Sequence, residues 1–325
     1  MRIGITGAAG HVGNNVSLAL AEQGHDLRLM VNRSHKGLDH LNAELFSCDL
    51  LDADQVRAFT EGMDVIIHTA ARISIDPSDA EQVWAVNVKG TEHIVKACLH
   101  TKPQRLIHFS TIHAFDPFPL EEPLDETRPV LKSGGTAYDR SKIRAEEIVL
   151  EAAQAGLNAV VLSPSSVFGP NDQYPSLLGR AIIDLYKGRM PALIPGGYNF
   201  VFVEDIAQAT VAALKEGRSG EKYLLSGHYL SLKKLAEEIH LAGGRRRWRP
   251  ILPTALLKLL LPFFALQGKL QGQPPLITSE SLKILNEGPQ DVRFDKAAKE
   301  LGYQARPFPE ALRLTLEWFQ ENRYL

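Results

Sequence analysis

The chain has little cysteine and almost no excess of charge of either sign. Only Cys48 and Cys98 occur among 325 residues, too few for a disulfide framework or a cysteine metal site.

The formal net charge of −2 gives no electrostatic reason to expect nucleic acid as a partner. The first ten residues, MRIGITGAAG, hold no apolar stretch behind Arg2 and do not resemble a secretory signal. We therefore expect a cytoplasmic protein without a nucleic-acid partner. Its eleven histidines show no metal-ligand spacing.

Long hydrophobic runs are also scarce. The apolar segment ILPTALLKLLLPFFAL, residues 251–266, is interrupted by Lys258 and Pro262, and it is shorter than the roughly 20 residues that span a bilayer. We expect no transmembrane segment. Two interpretations stay open for this segment: a buried or pocket-lining helix, or a helix in peripheral contact with a membrane surface. The second is suggested by the arginines that precede it, Arg245, Arg246, Arg247 and Arg249.

The first half of the chain alternates short apolar runs with helical patterns. Such runs are typical of parallel strands that are covered on both faces, and their alternation with helices predicts a doubly wound α/β sheet. The runs are RIGIT (2–6), LRLMV (27–31), AELFSC (43–48), DVIIHT (64–69), RLIHFS (105–110) and AVVLS (159–163).

After residue 170 the pattern loosens, and strand-like pieces recur only as NFVFV (199–203) and KYLLSG (222–227). We predict a Rossmann-type nucleotide-binding domain over 1–170, completed by about 204–226. A smaller C-terminal substrate lobe would consist of 171–203 and 227–325.

A glycine-rich turn, TGAAGHVG, follows the first strand and opens a helix. Gly7 and Gly10 would let the backbone turn tightly beside a pyrophosphate, and Gly13 would permit close packing of the helix on the strand. The amides at the helix start, at His11 and Val12, would face the anion. This order of strand, turn and helix predicts a dinucleotide site.

The second strand should end near the adenosine ribose, where NAD-binding proteins place an acidic residue. This chain has Arg33 there and no carboxylate until Asp39. Since guanidinium pairs well with phosphate, we expect NADP rather than NAD. Asp49 and Leu50 follow the third strand beside the expected adenine, although Asp49 is equally suited to cap a helix.

Further along, HTAA follows strand four, and its small residues Ala70 and Ala71 would let the cofactor lie close. Strand five ends in FSTIHAF, so Ser110 and Thr111 should reach the same edge of the sheet, where doubly wound proteins bind ligands.

Tyr138 and Lys142 lie four residues apart on the predicted helix of TAYDRSKIRAEEIVLEAAQAG. Both fall in line with the apolar stripe that continues from Ala145, so both should point inward. A second pair at this spacing, Tyr229 and Lys233, lacks a common helical face because Ser231 fits a helix N-cap.

The chemistry of the first pair follows from charge. A nearby ammonium and an oxidised nicotinamide would favour the phenolate of Tyr138 and bring its pKa toward the working pH. Tyr138 would then exchange a proton with a substrate oxygen while Ser110 or Thr111 hydrogen-bonds that oxygen. Lys142 would also hold the nicotinamide ribose.

In this order, TGAAGHVG, HTAA, NVKGT, FSTIHAF, YDRSK and SPSSVFGP resemble the motifs of the extended short-chain dehydrogenase/reductase superfamily, the NAD-dependent epimerase/dehydratase family. FVFVEDIAQA, GEKYLLSG and LEWFQ are similar to its dihydroflavonol-reductase and 3β-hydroxysteroid-dehydrogenase branch. The resemblance implies a catalytic triad at Thr111, Tyr138 and Lys142. It also implies a helix-interior Asn87 and a nicotinamide cover that begins at Pro164. A homodimer through the helices at 80–100 and 137–156 would follow the family pattern.

Three functions remain open. The first is an NADP-dependent oxidoreductase that interconverts a ketone or aldehyde and an alcohol on a small, apolar substrate. The second is a nucleotide-sugar epimerase or dehydratase that retains NAD. The third is a protein that senses a dinucleotide without turnover.

Overall fold

A computed structural model describes residues 1–32, 35–74, 76–245, 247–259, 261, 282, 285 and 288–325. The predictions at Arg33 and at Arg246 lie outside the described residues, as do residues 260 and 262–266 of the segment 251–266. Among the described helices, none is long and apolar enough to cross a membrane.

Seven parallel strands form the main sheet in the order β3-β2-β1-β4-β5-β6-β9. Its strands are β1 (Arg2–Thr6), β2 (Asp26–Val31), β3 (Glu44–Ser47), β4 (Val65–His68), β5 (Arg105–Phe109), β6 (Ala159–Pro164) and β9 (Lys222–Leu225). The strand order reverses between β1 and β4, and such a reversal opens a crevice at the carboxyl ends of the strands. The predicted doubly wound, Rossmann-type sheet is confirmed.

Helices cover both faces of this sheet. The first six described α-helices are α1 (His11–Glu22), α2 (Ala53–Thr60), α3 (Ala80–Trp84), α4 (Gly90–Thr101), α5 (Ala137–Gln154) and α6 (Leu177–Tyr186). They are followed by α7 (Val203–Ala213), α8 (Leu232–Leu241), α9 (Asp295–Leu301) and α10 (Phe308–Glu321). One core lies between the sheet and α1 with α7, and a second lies between the sheet and α2, α4 and α5.

Helix boundaries follow local sequence chemistry. The Asp52 side chain accepts hydrogen bonds from the amides of Asp54 and Gln55 at the start of α2, as a helix N-cap does. Helix α5 begins with a capping box, in which the Thr136 side chain accepts from the Asp139 amide and the Asp139 carboxylate accepts from the Thr136 amide. These bonds fix the first turn of α5, which carries Tyr138.

The prediction that every strand run is covered on both faces was wrong for β3. This strand is at the end of the sheet, and both Glu44 and Leu45 are exposed. Arg28 of β2 donates to the Glu44 carboxylate at 2.9 Å, a charged pair typical of a protected sheet edge.

A second sheet of three strands, in the order β10-β8-β7, packs with α6, α8 and α10, and these strands and helices are called the C-terminal lobe below. Its strands are β7 (Ser166–Phe168), β8 (Gly197–Phe202) and β10 (His228–Ser231). β8 pairs parallel with β7 and antiparallel with β10. The sequence predicted β8 but not the short strands β7 and β10. Helices α6, α8 and α10 supply the rest of the buried core of this lobe.

Candidate active site

The glycine-rich turn lies in the crevice between β1 and β4. Gly7 has a φ of +68°, and a Cβ at this position would lie 2.7 Å from the Cα of Ala70. A Cβ on Gly13 would lie only 2.2 Å from the Gly7 carbonyl oxygen. Side chains at these two positions would therefore collide with backbone, so glycine is required at both.

Helix α1 begins at the end of this turn without a side-chain cap. Gly10 is the N-cap, and no side chain accepts from the first amides of the helix. The His11 side chain instead shares a hydrogen bond with the Pro170 carbonyl oxygen at 3.0 Å. Uncapped helix amides bind anions well. The narrow turn and the uncapped amides of His11 and Val12 therefore fit the pyrophosphate of a dinucleotide.

At the adenosine end of the crevice, the described residues present no carboxylate directly after β2. Asn32 is exposed, and the Asp39 carboxylate lies 3.2 Å from Nε2 of His35. Asp49 is exposed beyond β3, where its carboxylate accepts from the Leu51 amide at 3.0 Å. Leu50 is buried against Gly90. A Cβ added to Gly90 would lie 2.5 Å from a Leu50 methyl group.

Ala70, Ala71 and Pro164 lie along the same edge. The amide of Ala70 donates to the Thr6 hydroxyl at 3.2 Å, and Ala71 is exposed. Pro164 ends β6, where it pairs with Leu225 of β9. Of the small residues after β4, Ala70 thus lies directly against Gly7.

Thr111 and Tyr138 meet at the carboxyl end of β5. The Thr111 side chain is close enough to the Tyr138 phenol to lower its pKa, and the Thr111 hydroxyl accepts from the His113 amide at 3.3 Å. Ser110 is buried too, but its hydroxyl has no partner among the described residues. The structure therefore brings Thr111, rather than Ser110, to the Tyr138 hydroxyl.

Lys142 lies one turn further along α5, where its side chain points inward as predicted. The residue is only 4% exposed, and its ammonium donates to the Phe109 carbonyl oxygen at the end of β5. Burial lowers the pKa of Lys142 to about 8, while the negative charge of Glu146 acts in the opposite direction.

The pKa of Tyr138 is shifted in the direction opposite to our expectation. Burial raises this pKa first, and the negative charge of Asp139 raises it further. The neighbouring Thr111 side chain lowers this pKa, but by less. The neutral phenol is therefore favoured at neutral pH.

Two polar residues that the sequence did not single out support this arrangement. Ser141 donates to the Tyr138 carbonyl oxygen at 2.7 Å and accepts from the Asn87 side chain at 2.9 Å. Glu146 is buried and forms an ion pair with Lys222 of β9 at 3.1 Å. The signal for Glu146 was available, because it follows Lys142 by four residues and so lies on the same helical face.

Comparison with known proteins identifies the family of this chain. The family model of the NAD dependent epimerase/dehydratase family matches residues 3–226. Sterol demethylase protein B of Methylococcus capsulatus is 30% identical over 98% of both chains. A putative dihydroflavonol 4-reductase of Synechocystis is 29% identical over 99% of this chain and 95% of the relative. The crystal structure of gox2253 superposes with a TM-score of 0.85 at 32% identity, over 99% of each chain.

The chain belongs to the NAD dependent epimerase/dehydratase family, within the extended short-chain dehydrogenases/reductases. It is an NAD(P)-dependent oxidoreductase enzyme.

Proposed function

We propose that this enzyme is an NADP-dependent oxidoreductase that interconverts a ketone or aldehyde and an alcohol on a small, apolar substrate. The observation that carries the proposal is the placement of Thr111 beside Tyr138, with the Lys142 ammonium one helical turn away and bound to the Phe109 carbonyl oxygen at the end of β5. A hydroxyl, a phenol and a buried ammonium at the carboxyl edge of a parallel sheet match the needs of proton exchange at a carbonyl oxygen.

Each of the three side chains has a separate task. The phenol of Tyr138 donates a proton to the carbonyl oxygen in reduction and takes it back in oxidation. The Thr111 hydroxyl hydrogen-bonds the same oxygen and fixes its position. The Lys142 ammonium stabilises negative charge that develops on the phenol oxygen. The nicotinamide, when bound, supplies or accepts the hydride.

The dinucleotide would be held by the turn from Gly7 to Gly13, with its pyrophosphate at the amides of His11 and Val12. Ala70 and Ala71 would lie beside it, Asp49 and Leu50 would flank the adenine, and Lys142 would bind the nicotinamide ribose. Pro164 would lie against the nicotinamide. These roles are supported by position, because the residues lie at the carboxyl ends of strands, on one edge of the main sheet.

The preference for NADP is supported by the residues that follow β2. The described ones, Asn32 and 35–38, include no carboxylate to accept a ribose hydroxyl. Arg33 would pair with the 2′-phosphate.

An apolar substrate is supported by the relatives, which include a sterol demethylase protein and a dihydroflavonol reductase by name. Ring systems of this kind need an apolar binding surface. In the described part of segment 251–266, Leu256 and Leu259 are exposed. We propose that this segment lines the substrate site or contacts a membrane surface, and that helices α4 and α5 form a homodimer contact.

Thermal unfolding with NADP, NADPH, NAD and NADH, each titrated separately, tests the cofactor assignment. A ligand that binds only the folded state raises the midpoint in step with RT ln(1 + [L]/Kd). We expect larger shifts with the phosphorylated pair, and Arg33→Ser should remove this difference while the shifts with NAD and NADH persist. Equal shifts with both pairs in the wild type would contradict the assignment to NADP.

Turnover tests the reaction class. We expect NADPH consumption with a panel of apolar ketones and aldehydes, in a one-to-one ratio with alcohol formed. A dinucleotide that copurifies and stays bound, with isomerisation or dehydration of a nucleotide sugar and no net NADPH consumption, would instead show the epimerase or dehydratase class.

A further inference from the structure

A row of buried hydrogen bonds runs below the crevice, from the glycine-rich turn to the catalytic helix. The Ala70 amide donates to the Thr6 hydroxyl at 3.2 Å, and this hydroxyl lies 2.7 Å from Nδ1 of His68. On the other side of the ring, Nε2 of His68 lies 3.0 Å from the Thr91 hydroxyl. The Thr91 hydroxyl donates to the Asn87 carbonyl oxygen at 2.7 Å.

The direction of these bonds fixes the tautomer of His68. A carbonyl oxygen only accepts, so the single hydroxyl proton of Thr91 is committed to Asn87. Nε2 of His68 must therefore carry the proton and donate it to Thr91. In a neutral ring Nδ1 then accepts, and the Thr6 hydroxyl donates to it. All bonds in the row consequently point the same way, from Ala70 toward Asn87.

Asn87 is the point at which this row reaches the catalytic residues. It lies in a π-helical turn, Ala85–Lys89, between α3 and α4, and such turns are frequent at functional sites. Its side chain accepts from the Arg72 amide at 2.8 Å and donates to the Ser141 hydroxyl at 2.9 Å. Ser141 in turn holds the Tyr138 carbonyl oxygen.

The surroundings of His68 keep its ring neutral. The residue is 1% exposed, and burial together with the Lys142 ammonium lowers its pKa to about 3. The His108 ring packs against it at a centroid distance of 5.3 Å, and burial also lowers the pKa of His108 well below its ordinary value. A single tautomer of His68 is therefore maintained throughout the neutral pH range.

We propose that His68 is a positioning residue, which couples the crevice at Thr6 and Ala70 to Asn87 and thereby fixes Tyr138 relative to the dinucleotide. This inference rests on the proposed function of Tyr138 as the proton donor. Because the hydroxyls on both sides of the ring are directional, the coupling depends on hydrogen bonds and not on the volume of the side chain alone.

Thr91 offers a matched pair of variants. Thr91→Val keeps the shape but removes the acceptor for Nε2 and the donor for Asn87, whereas Thr91→Ser keeps the hydroxyl. We expect kcat to fall about tenfold or more in Thr91→Val, as for a small misplacement of a catalytic group. The KM for NADPH should stay near the wild-type value, and Thr91→Ser should restore most of kcat. An unchanged kcat in folded Thr91→Val, or a fall of equal size in Thr91→Ser, would overturn the proposal.

A spectroscopic measurement tests the hydrogen-bond row independently of turnover. The wild type is labelled with ¹⁵N-histidine, and the His68 signals are assigned by their absence from the spectrum of His68→Gln. These signals should show the Nε2–H tautomer and should not titrate from pH 5 to 9. Even the acid end of this range is about two units above the His68 pKa of about 3. An Nδ1–H tautomer, or titration in this range, would refute the proposal.

The two measurements separate the hypotheses. If the wild type reduces no carbonyl compound, the proposed function fails, and the coupling to Tyr138 fails with it. The nitrogen spectrum still decides whether the row of hydrogen bonds exists as described. If the wild type is active and the tautomer is correct, the Thr91 pair decides whether the row positions Tyr138.

Discussion

The crevice edge of the main sheet and the C-terminal lobe are stabilised by different kinds of interaction. At the crevice edge, buried hydrogen bonds connect polar side chains with fixed directions, such as that between Asn87 and Ser141. The lobe is held by aromatic packing. Phe168 lies 5.7 Å from Phe200 in a T-shaped arrangement, and Phe308 packs on Phe168 at 5.3 Å, measured between ring centroids.

The two regions therefore differ in role: the crevice edge positions the reacting groups, and the lobe contributes stability. Hydrogen bonds fix angles and protonation states, which proton exchange requires, whereas apolar packing contributes free energy with little directional demand. A change at the crevice edge should therefore affect catalysis or cofactor binding, and a change in the core of the lobe should affect stability. The following predictions test this separation, from the largest expected effect to the smallest.

Removal of the Tyr138 hydroxyl should have the largest effect. In Tyr138→Phe we expect kcat to fall by about 10²–10⁴, the usual contribution of a positioned acid or base, with little change in the unfolding midpoint or in NADPH affinity. Steady-state kinetics and fluorescence titration measure these quantities. Tyr229→Phe is the matched control and should keep its activity. Wild-type kcat in Tyr138→Phe would show that this phenol is not the proton donor.

Truncation in the lobe should act on stability instead. Phe200 is 1% exposed within the aromatic group, and Phe200→Ala should lower the free energy of unfolding by about 3–5 kcal/mol. NADPH affinity of the folded protein should not change. Denaturant unfolding measures the loss, and Trp248→Ala, at a side chain that is 84% exposed, should cost almost nothing. A loss of NADPH affinity in folded Phe200→Ala would break the proposed separation.

A methyl group in the turn should act on cofactor binding. The Cβ of Gly13→Ala would lie 2.2 Å from the Gly7 carbonyl oxygen, so the turn must shift. We expect NADPH affinity to fall about tenfold or more, which corresponds to about 1.4 kcal/mol, as measured by titration. Gly24→Ala, with a positive φ but no atom within 4 Å of the added Cβ, should lose stability but keep its affinity. Equal affinities in both variants would exclude the turn as the pyrophosphate site.

The smallest predicted effect is on pH dependence. Lys142, with a pKa of about 8, is protonated below this pH and neutral above it. Since burial raises the pKa of Tyr138, the phenol keeps its proton over this range. The rate of carbonyl reduction should therefore fall as the pH rises through about 8.

Glu146→Gln removes a negative charge that raises the pKa of Lys142, so the descending limb should move to lower pH. The control is Glu147→Gln, since Glu147 is an exposed residue that pairs with Arg144, and it should leave the limb in place. A pH profile of kcat/KM provides the measurement. A shift to higher pH, or the same shift in both variants, would contradict the role of Glu146.

Sequence patterns predicted the main sheet well because each buried strand is an apolar run that can be recognised locally. They did not predict the exposure of β3, because its position at the end of the sheet depends on strand order and not on its own residues. They also missed β7 and β10, each of three or four residues, because periodicity has little information over so short a span. The predicted site residues stay predictions in their roles, although the structure places Thr111, Tyr138 and Lys142 together.

The sequence by itself determined the strands of the main sheet, the glycine-rich turn and the inward direction of Lys142, since all of these depend on local spacing. Only the tertiary structure decided which hydroxyl lies beside Tyr138, which group accepts the hydrogen bond of the Lys142 ammonium, and which hydrogen bonds His68 forms. The physical reason is that these contacts join residues far apart in the chain. Thr6 and His68 are 62 positions apart and are brought together by the pairing of β1 with β4.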